Sequence, residues 1–167
     1  MSLSVAIEAL NPSHDRRAFS CGVSVLDRYL SERANQDVKR RIGNCFVAVD
    51  RDAAAIAAYY TLSAASLPFA SLPEDETRRL PHYPVLPATL IGRLAVDLRY
   101  QGSGLGSSLI ADALHRSIRA APASFSLLVD AKDSNAAAFY RKHGFIPLTS
   151  RPQSLFLPIA TALKLFG

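Results

Sequence analysis

A chain of 167 residues, 49% apolar and 20% charged, buries about 70% of its unfolded surface and needs no disulfide or metal to hold a core. This balance excludes disorder, and no apolar run approaches the ~18 residues of a membrane span. The formal charge of +5, from 19 basic against 14 acidic residues, points to an anionic partner: a nucleotide, a nucleic acid or an acidic protein.

Residues 1–17 lack the basic-then-apolar layout of a secretory leader, so a cytoplasmic protein is expected. The first helix is expected over residues 20–41, where Leu26, Tyr29, Leu30, Ala34 and Val38 recur at helical spacing. Ser24 and Asp27 stand at the spacing of a capping box, Lys39, Arg40 and Arg41 suit the negative end of the dipole, and Gly43 is the expected stop. Residues 45–50 and 54–63 read as a hairpin around Arg51 and Asp52. Residues 66–87 carry five prolines and read as a surface loop, with a helical turn at 73–80. A strand at 89–98 and a helix at 104–121 follow. Leu109, Ile110, Ala113, Leu114 and Ile118 form that helix's apolar stripe, and Asp112, Arg116 and Arg119 are its expected wet face. A strand is expected at 125–131, a helix at 134–143 closed by Gly144, strands at 145–148 and 154–157, and a last helical turn at 159–166. Strands alternating with helices give an α/β (or α+β) single domain over 1–167 with a mixed sheet.

Cys21 and Cys45 have no CxxC or Cys/His ligand spacing, so they read as buried thiols and no metal is expected. The informative stretch runs from Ile91 to Ile110. A strand ends, Gly102, Gly104 and Gly106 follow at alternate positions, and a helix begins at once. Glycines admit positive φ and let backbone N–H groups approach a ligand, and a helix start offers unpaired donors to a pyrophosphate. No lysine follows the glycines, which excludes a Walker A loop. Counting G-x-G-x-x-G from Gly102 ends on Ser107, which excludes the dinucleotide fingerprint.

What remains, Gln101-x-x-Gly104-x-Gly106, resembles the (R/Q)-x-x-G-x-(G/A) coenzyme A pyrophosphate loop of the GNAT N-acetyltransferases. Asn135-x-x-Ala138-x-Tyr140-x-x-x-Gly144-Phe145 is similar to the second half of the same fold. The resemblance implies a mostly antiparallel mixed sheet flanked by helices, with acetyl-CoA as cofactor. Leu94, Ala95 and Val96 would pair with pantetheine as an added strand. Gln101, Gly102, Ser103, Gly104, Leu105, Gly106 and Ser107 would hold the pyrophosphate, with Asn135 near the pantetheine. Tyr140 would be the general acid, since a phenol with pKa near 10 is protonated at neutral pH. Helical geometry turns Phe139 to the core with Ala136 and leaves Tyr140 on the adjacent open side.

No general base stands out. His14, His82, His115 and His143 read as surface or helix-end residues, and Glu74, Asp75 and Glu76 as the acidic start of a helix. Such a site suits an acceptor of lowered pKa, such as the α-amine of an aminoacyl ester.

Residues 19–30, 44–49, 59–63, 91–97 and 155–160 look like those of a narrower branch, the acetyltransferase toxins of type II toxin–antitoxin pairs. That likeness implies aminoacyl-tRNA as substrate, inhibition of translation and a homodimer. It also implies a ribbon-helix-helix antitoxin through which any contact with DNA would run. Arg16, Arg17, Lys39, Arg40, Arg41, Arg78 and Arg79 become candidate contacts for tRNA phosphates. Two rivals stay open: a GNAT enzyme acting on a small amine or a protein N-terminus, and a non-catalytic CoA-binding module.

Overall fold

The computed structural model describes residues 4–166, and β1 (Val5–Ala9) opens it. Where one helix was expected, α1 (Ser24–Arg28), a π-helical segment (Tyr29–Arg33) and α2 (Ala34–Lys39) follow one another without a break. The capping box does not form. Val23 is the N-cap, without a side-chain bond, and Asp27 Oδ1 instead accepts the Cys21 N–H at 2.8 Å, tying down the incoming chain. The stop also differs. Arg41, not Gly43, takes the left-handed conformation (φ 61°), while the Ile42 N–H reaches back to the Asp37 carbonyl at 3.0 Å. Gly43 serves close approach: a Cβ there would meet the Leu62 carbonyl oxygen at 3.1 Å.

The hairpin is present as β2 (Asn44–Asp50) and β3 (Ala55–Pro68), antiparallel, with β1 antiparallel on the outer edge of β2. Asp50 Oδ1 accepts the Asp52 and Ala53 N–H groups and so shapes the turn. Consecutive strand residues point to opposite faces, and the two tyrosines of β3 record it. Tyr59 Oη donates to the Leu26 carbonyl at 2.6 Å, and Tyr60 Oη to Asp112 Oδ2 at 2.5 Å. Asp112 is therefore a buried-tyrosine acceptor rather than a residue of the wet face.

Because β3 extends to Pro68 and the next strand begins at Val85, the expected proline-rich loop shrinks to residues 69–84, which hold a short 3-10 turn (Phe69–Ser71) and α3 (Glu74–Thr77). Then come β4 (Val85–Val96), a second 3-10 turn (Leu98–Tyr100) and α4 (Leu105–Arg119). Leu109, Ile110, Ala113 and Leu114 of α4 are buried as expected, but Ile118 is 40% exposed. β5 (Ser126–Asp130), α5 (Ser134–Lys142), β6 (Ile146–Pro147), β7 (Ser154–Pro158) and α6 (Ile159–Phe166) complete the chain. The seven-stranded sheet has the order β1-β2-β3-β4-β5-β7-β6; β4 and β5 are parallel, whereas β5–β7 and β6–β7 are antiparallel. None of the described helices is long and apolar enough to cross a membrane.

The chain divides into two compact units. In the first, residues up to Ser63 with Gly92–Ala113, the core gathers Phe19, Tyr29, Leu30, Ala34, Cys45, Val47, Ile56, Tyr59 and Ala95. Cys21 and Cys45 are both free and buried there. The second unit, Ala64–Ile91 with the residues from Leu114 on, packs Leu67, Leu72, Leu86, Ala88, Leu128, Leu148 and Phe156. Each fully buried leucine contributes about 2 kcal/mol relative to an exposed one.

Candidate active site

In the first unit the structure builds a loop around one buried carboxylate. Asp97, 1% exposed, follows β4 and accepts the Ser20 N–H at 3.0 Å and the Arg99 N–H at 2.9 Å. The Arg99 guanidinium adds contacts of 3.0 and 3.2 Å. Burial alone would raise the Asp97 pKa; the hydrogen bonds outweigh it and hold the carboxyl below its usual range. Asp97 thus joins the N-terminal segment, the strand end and the turn that leads into the glycine loop.

Gln101 fixes the loop's first residue. Its Nε2 donates to the Cys21 carbonyl at 3.1 Å and the Val96 carbonyl at 3.0 Å. Ser103 Oγ donates to the Tyr100 carbonyl. Gly102 and Gly104 have φ of +81° and +86°, and nothing lies within 4 Å of a Cβ built on either. These glycines therefore serve backbone conformation and leave open space over the loop, which suits a pyrophosphate held by N–H groups. Leu105 is buried at the start of α4, while Ser107 is exposed. Along β4, Ala95 is buried and Leu94 and Val96 half-buried, and the parallel pairing with β5 spans residues 88–91 without reaching 92–96.

The second unit carries the tyrosine. Asp133 caps α5, accepting the Ala136 N–H at 2.8 Å, and Asn135 is exposed in the first turn. Here the expected facing is reversed. Tyr140 is 8% exposed and shares its buried face with Ala137, while Phe139 is half-buried. Spacing of i, i+3 puts Ala137 and Tyr140 on one face, and the Phe145 ring, 5.4 Å from that of Tyr140, holds it there. Gly144 (φ 94°) turns the chain so that the Phe145 N–H reaches the Tyr140 carbonyl at 3.2 Å. Burial pushes the Tyr140 phenol up to about 12, and its hydroxyl has no hydrogen-bond partner among the described residues. This phenol keeps its proton at any physiological pH.

The basic residues are distributed over both units. Arg17, Lys39, Arg40 and Arg41 are exposed and Arg16 half-buried in the first; Arg78 and Arg79 are exposed in the second, with Arg78 3.7 Å from Asp75. The histidines have local roles. His14 Nε2 lies 3.1 Å from Glu8, the His82 ring sits 5.1 Å from that of Phe69 at a tilt of 44°, His115 is exposed, and His143 Nδ1 lies 2.8 Å from the Phe139 carbonyl.

Sequence reasoning missed a cavity of about 330 Å³ in the first unit, lined by Val25, Arg28, Tyr29, Glu32, Arg33 and Arg93. Arg93 lies with its guanidinium carbon 3.5 Å from the Tyr29 ring centroid. Tyr29 Oη donates to Asp37 at 2.8 Å, and burial and that carboxylate push the phenol's pKa up against the opposing effect of Arg93. Residues five apart in an α-helix diverge by about 140°. A π turn, with its i→i+5 hydrogen bonds, brings Arg28 and Arg33 toward one face. Helical periodicity alone could not have paired them.

The GNAT acetyltransferase domain model matches residues 41–147. The chain belongs to the GNAT acetyltransferases. Over 171 residues it is 35% identical to the "Probable toxin TacT" of Sinorhizobium fredii (strain NBRC 101917 / NGR234), covering 96% of this chain and 94% of the relative. The "tRNA-acetylating toxin" of Mycobacterium tuberculosis (strain ATCC 25618 / H37Rv) is 36% identical over 160 residues, 95% of this chain and 94% of its own. Among solved structures, AtaT complexed with acetyl-methionyl-tRNAfMet superposes with TM-score 0.90 at 28% identity, covering 98% of this chain and 100% of AtaT. A tyrosine-to-phenylalanine AtaT mutant bound to the C-terminus of the antitoxin AtaR and acetyl-CoA gives TM-score 0.80 at 26% identity, covering 97% and 98%. As a GNAT enzyme the chain is an acetyl-CoA-dependent acetyltransferase, and the open, glycine-paved loop at 101–106 fits that donor.

Proposed function

We propose that this GNAT enzyme is a toxin that acetylates the α-amino group of aminoacyl-tRNA and so blocks translation. In this reading it acts in the cytoplasm as a homodimer and is neutralised by a ribbon-helix-helix antitoxin, which alone contacts DNA. The observation that carries the proposal is near-full-length similarity to a tRNA-acetylating toxin.

Acetyl-CoA supplies the acetyl group activated as a thioester. The backbone of residues 101–107 receives the pyrophosphate, Leu94, Ala95 and Val96 offer their backbone to the pantetheine, and Asn135 lies along it. Tyr140 holds a proton at Oη for the departing sulfur, and its raised pKa supports that role. Arg16, Arg17, Lys39, Arg40, Arg41, Arg78 and Arg79 meet tRNA phosphates.

The acceptor's own acidity removes the need for a strong base. An α-ammonium with pKa near 8 is about one-tenth neutral at pH 7, whereas a lysine ammonium near 10.4 is neutral in about one molecule in 2,500. Incubation with radiolabelled acetyl-CoA and total charged tRNA tests the reading. Label should enter the RNA fraction and vanish when the tRNA is deacylated first; label that ignores deacylation, or none, overturns it.

A further inference from the structure

The glycine loop does not hold itself in place. A Cβ built on Gly102 or Gly104 would meet nothing within 4 Å, so neither residue is wedged against the fold, and glycine is the least restrained backbone in a chain. The set of the loop therefore depends on the residues that flank it. Gln101 is tied by its side chain to the Cys21 and Val96 carbonyls. Tyr100, immediately before it, is held at three points. Its N–H donates to the Asp97 carbonyl at 2.8 Å, its carbonyl accepts Ser103 Oγ, and its Oη donates to Asp50 Oδ2 at 2.6 Å.

The Asp50 end of that last bond is the fixed one. Asp50 is the final residue of β2, 8% exposed, with Val5 of β1 paired on one side and Ala55 of β3 on the other. Its two oxygens divide the work: Oδ1 accepts the Asp52 and Ala53 N–H groups of the hairpin turn, which leaves Oδ2 for Tyr100. The acidity of each partner records the bond. The Tyr100 hydroxyl holds the Asp50 carboxyl below its usual range, and the Asp50 carboxylate pushes the Tyr100 phenol above its own. An O–H donor on a carboxylate makes a bond about twice as strong as a neutral one.

We infer that Asp50 is a positioning residue for acetyl-CoA, acting through Tyr100 to set the entry of the glycine loop before the cofactor arrives. A loop set in advance loses less conformational freedom when its ligand binds, so breaking the link should show in affinity. The inference rests on the proposed seating of the pyrophosphate on residues 101–107.

Acetyl-CoA binding to the full chain is measured by calorimetry for wild type, Tyr100→Phe, Asp50→Ala and the double variant. Hydrogen–deuterium exchange of residues 101–107 is followed in the same proteins without ligand. Tyr60→Phe is the control, since it removes another tyrosine–carboxylate bond of the same unit, to Asp112 in the middle of α4. Tyr100→Phe and Asp50→Ala should each raise the Kd at least fivefold and speed exchange over 101–107. Both remove one link, so the double variant should stay within twofold of the weaker single variant, where independent effects would multiply to about 25-fold. Tyr60→Phe should lower Tm yet leave the Kd within twofold of wild type.

An unchanged Kd in Tyr100→Phe overturns the inference, and so does a multiplied loss in the double variant. Equal weakening in Tyr60→Phe overturns it too, because any loss of stability would then suffice. Gly104→Ala separates the link from the seating it rests on. Weaker binding in Gly104→Ala with unchanged binding in Tyr100→Phe refutes the link alone. Unchanged binding in Gly104→Ala refutes the seating on the loop, and the inference falls with it.

Discussion

Replacing Asp97 probes the joint that positions the glycine loop. Asp97→Ala removes the acceptor of four hydrogen bonds, two from the backbone N–H groups of Ser20 and Arg99 and two from the Arg99 guanidinium. The Arg99 side chain is 55% exposed and re-solvates at little cost. The two N–H groups lose a charged acceptor inside the fold, worth about 1.5–3 kcal/mol for each bond. The expected loss is about 3 kcal/mol, near the lower end for breaking a buried charged contact. At this chain length that lowers Tm by about 6–12 °C. Asp97→Asn keeps one acceptor oxygen and should lose about half as much.

Thermal melts and urea unfolding followed by circular dichroism measure the stability, and equilibrium titration measures acetyl-CoA binding. Affinity for acetyl-CoA should fall at least tenfold in Asp97→Ala, because Gln101 hangs from the same turn. The sign of the pH dependence is fixed as well. A carboxyl whose folded pKa is depressed contributes stability above its unfolded value near 3.9 and loses it as pH falls through the folded value. Wild type should therefore lose this contribution below about pH 4, and Asp97→Asn should show a flatter acid limb. An Asp97→Ala variant less than 1 kcal/mol below wild type, with unchanged acetyl-CoA affinity, would show that Asp97 does not hold this turn.

Tyr140→Phe should lower kcat at least tenfold while the Kd for acetyl-CoA stays within twofold of wild type by calorimetry; an unchanged kcat removes Tyr140 from the reaction. Since burial pushes the Tyr140 phenol up to about 12, kcat should rise with pH through about 8, as the acceptor amine loses its proton, and stay level to pH 10. An alkaline fall below pH 10, or a base titrating near 6, contradicts that assignment. Gly104→Ala forces a side chain into φ +86°, at about 1 kcal/mol of backbone strain; Tm should drop by about 2–4 °C and acetyl-CoA bind at least fivefold more weakly. Arg41→Gly relieves the left-handed arginine at φ 61°, so Tm should rise by a similar amount, and a fall in Tm would show that the side chain holds that turn.

The strands and the glycine turn were legible in the sequence because their signals are local. Apolar runs over residues 45–50 and 54–63, the alternating glycines at 102–106 and Gly144 after α5 each state a conformation that the structure adopts. The failures share a physical origin: they depend on what lies across from the residue. Asp112 belongs on a wet face until Tyr60 supplies a donor from β3. Tyr140 and Phe139 are adjacent aromatics on a short helix, and the Phe145 ring against Tyr140 is a contact from beyond the helix that its own periodicity does not encode. Ser24 offers a hydroxyl at the spacing of a cap, but Asp27 is taken by Cys21. Arg93 reads as one more polar residue on a strand, and its place over Tyr29 follows from strand register and a π turn that no short-range pattern encodes.

The central claim is the chemical identity of the acetylated amine. The enzyme is incubated with acetyl-CoA and total aminoacyl-tRNA, the RNA is isolated and its esters are released by mild alkali, and the products are weighed by mass spectrometry. Nα-acetyl amino acids are expected in the released fraction, at least tenfold less abundant when Tyr140→Phe replaces wild type over the same interval. Recovery of unmodified amino acids alone, with the acetyl mass found on protein or on a small amine, would contradict it.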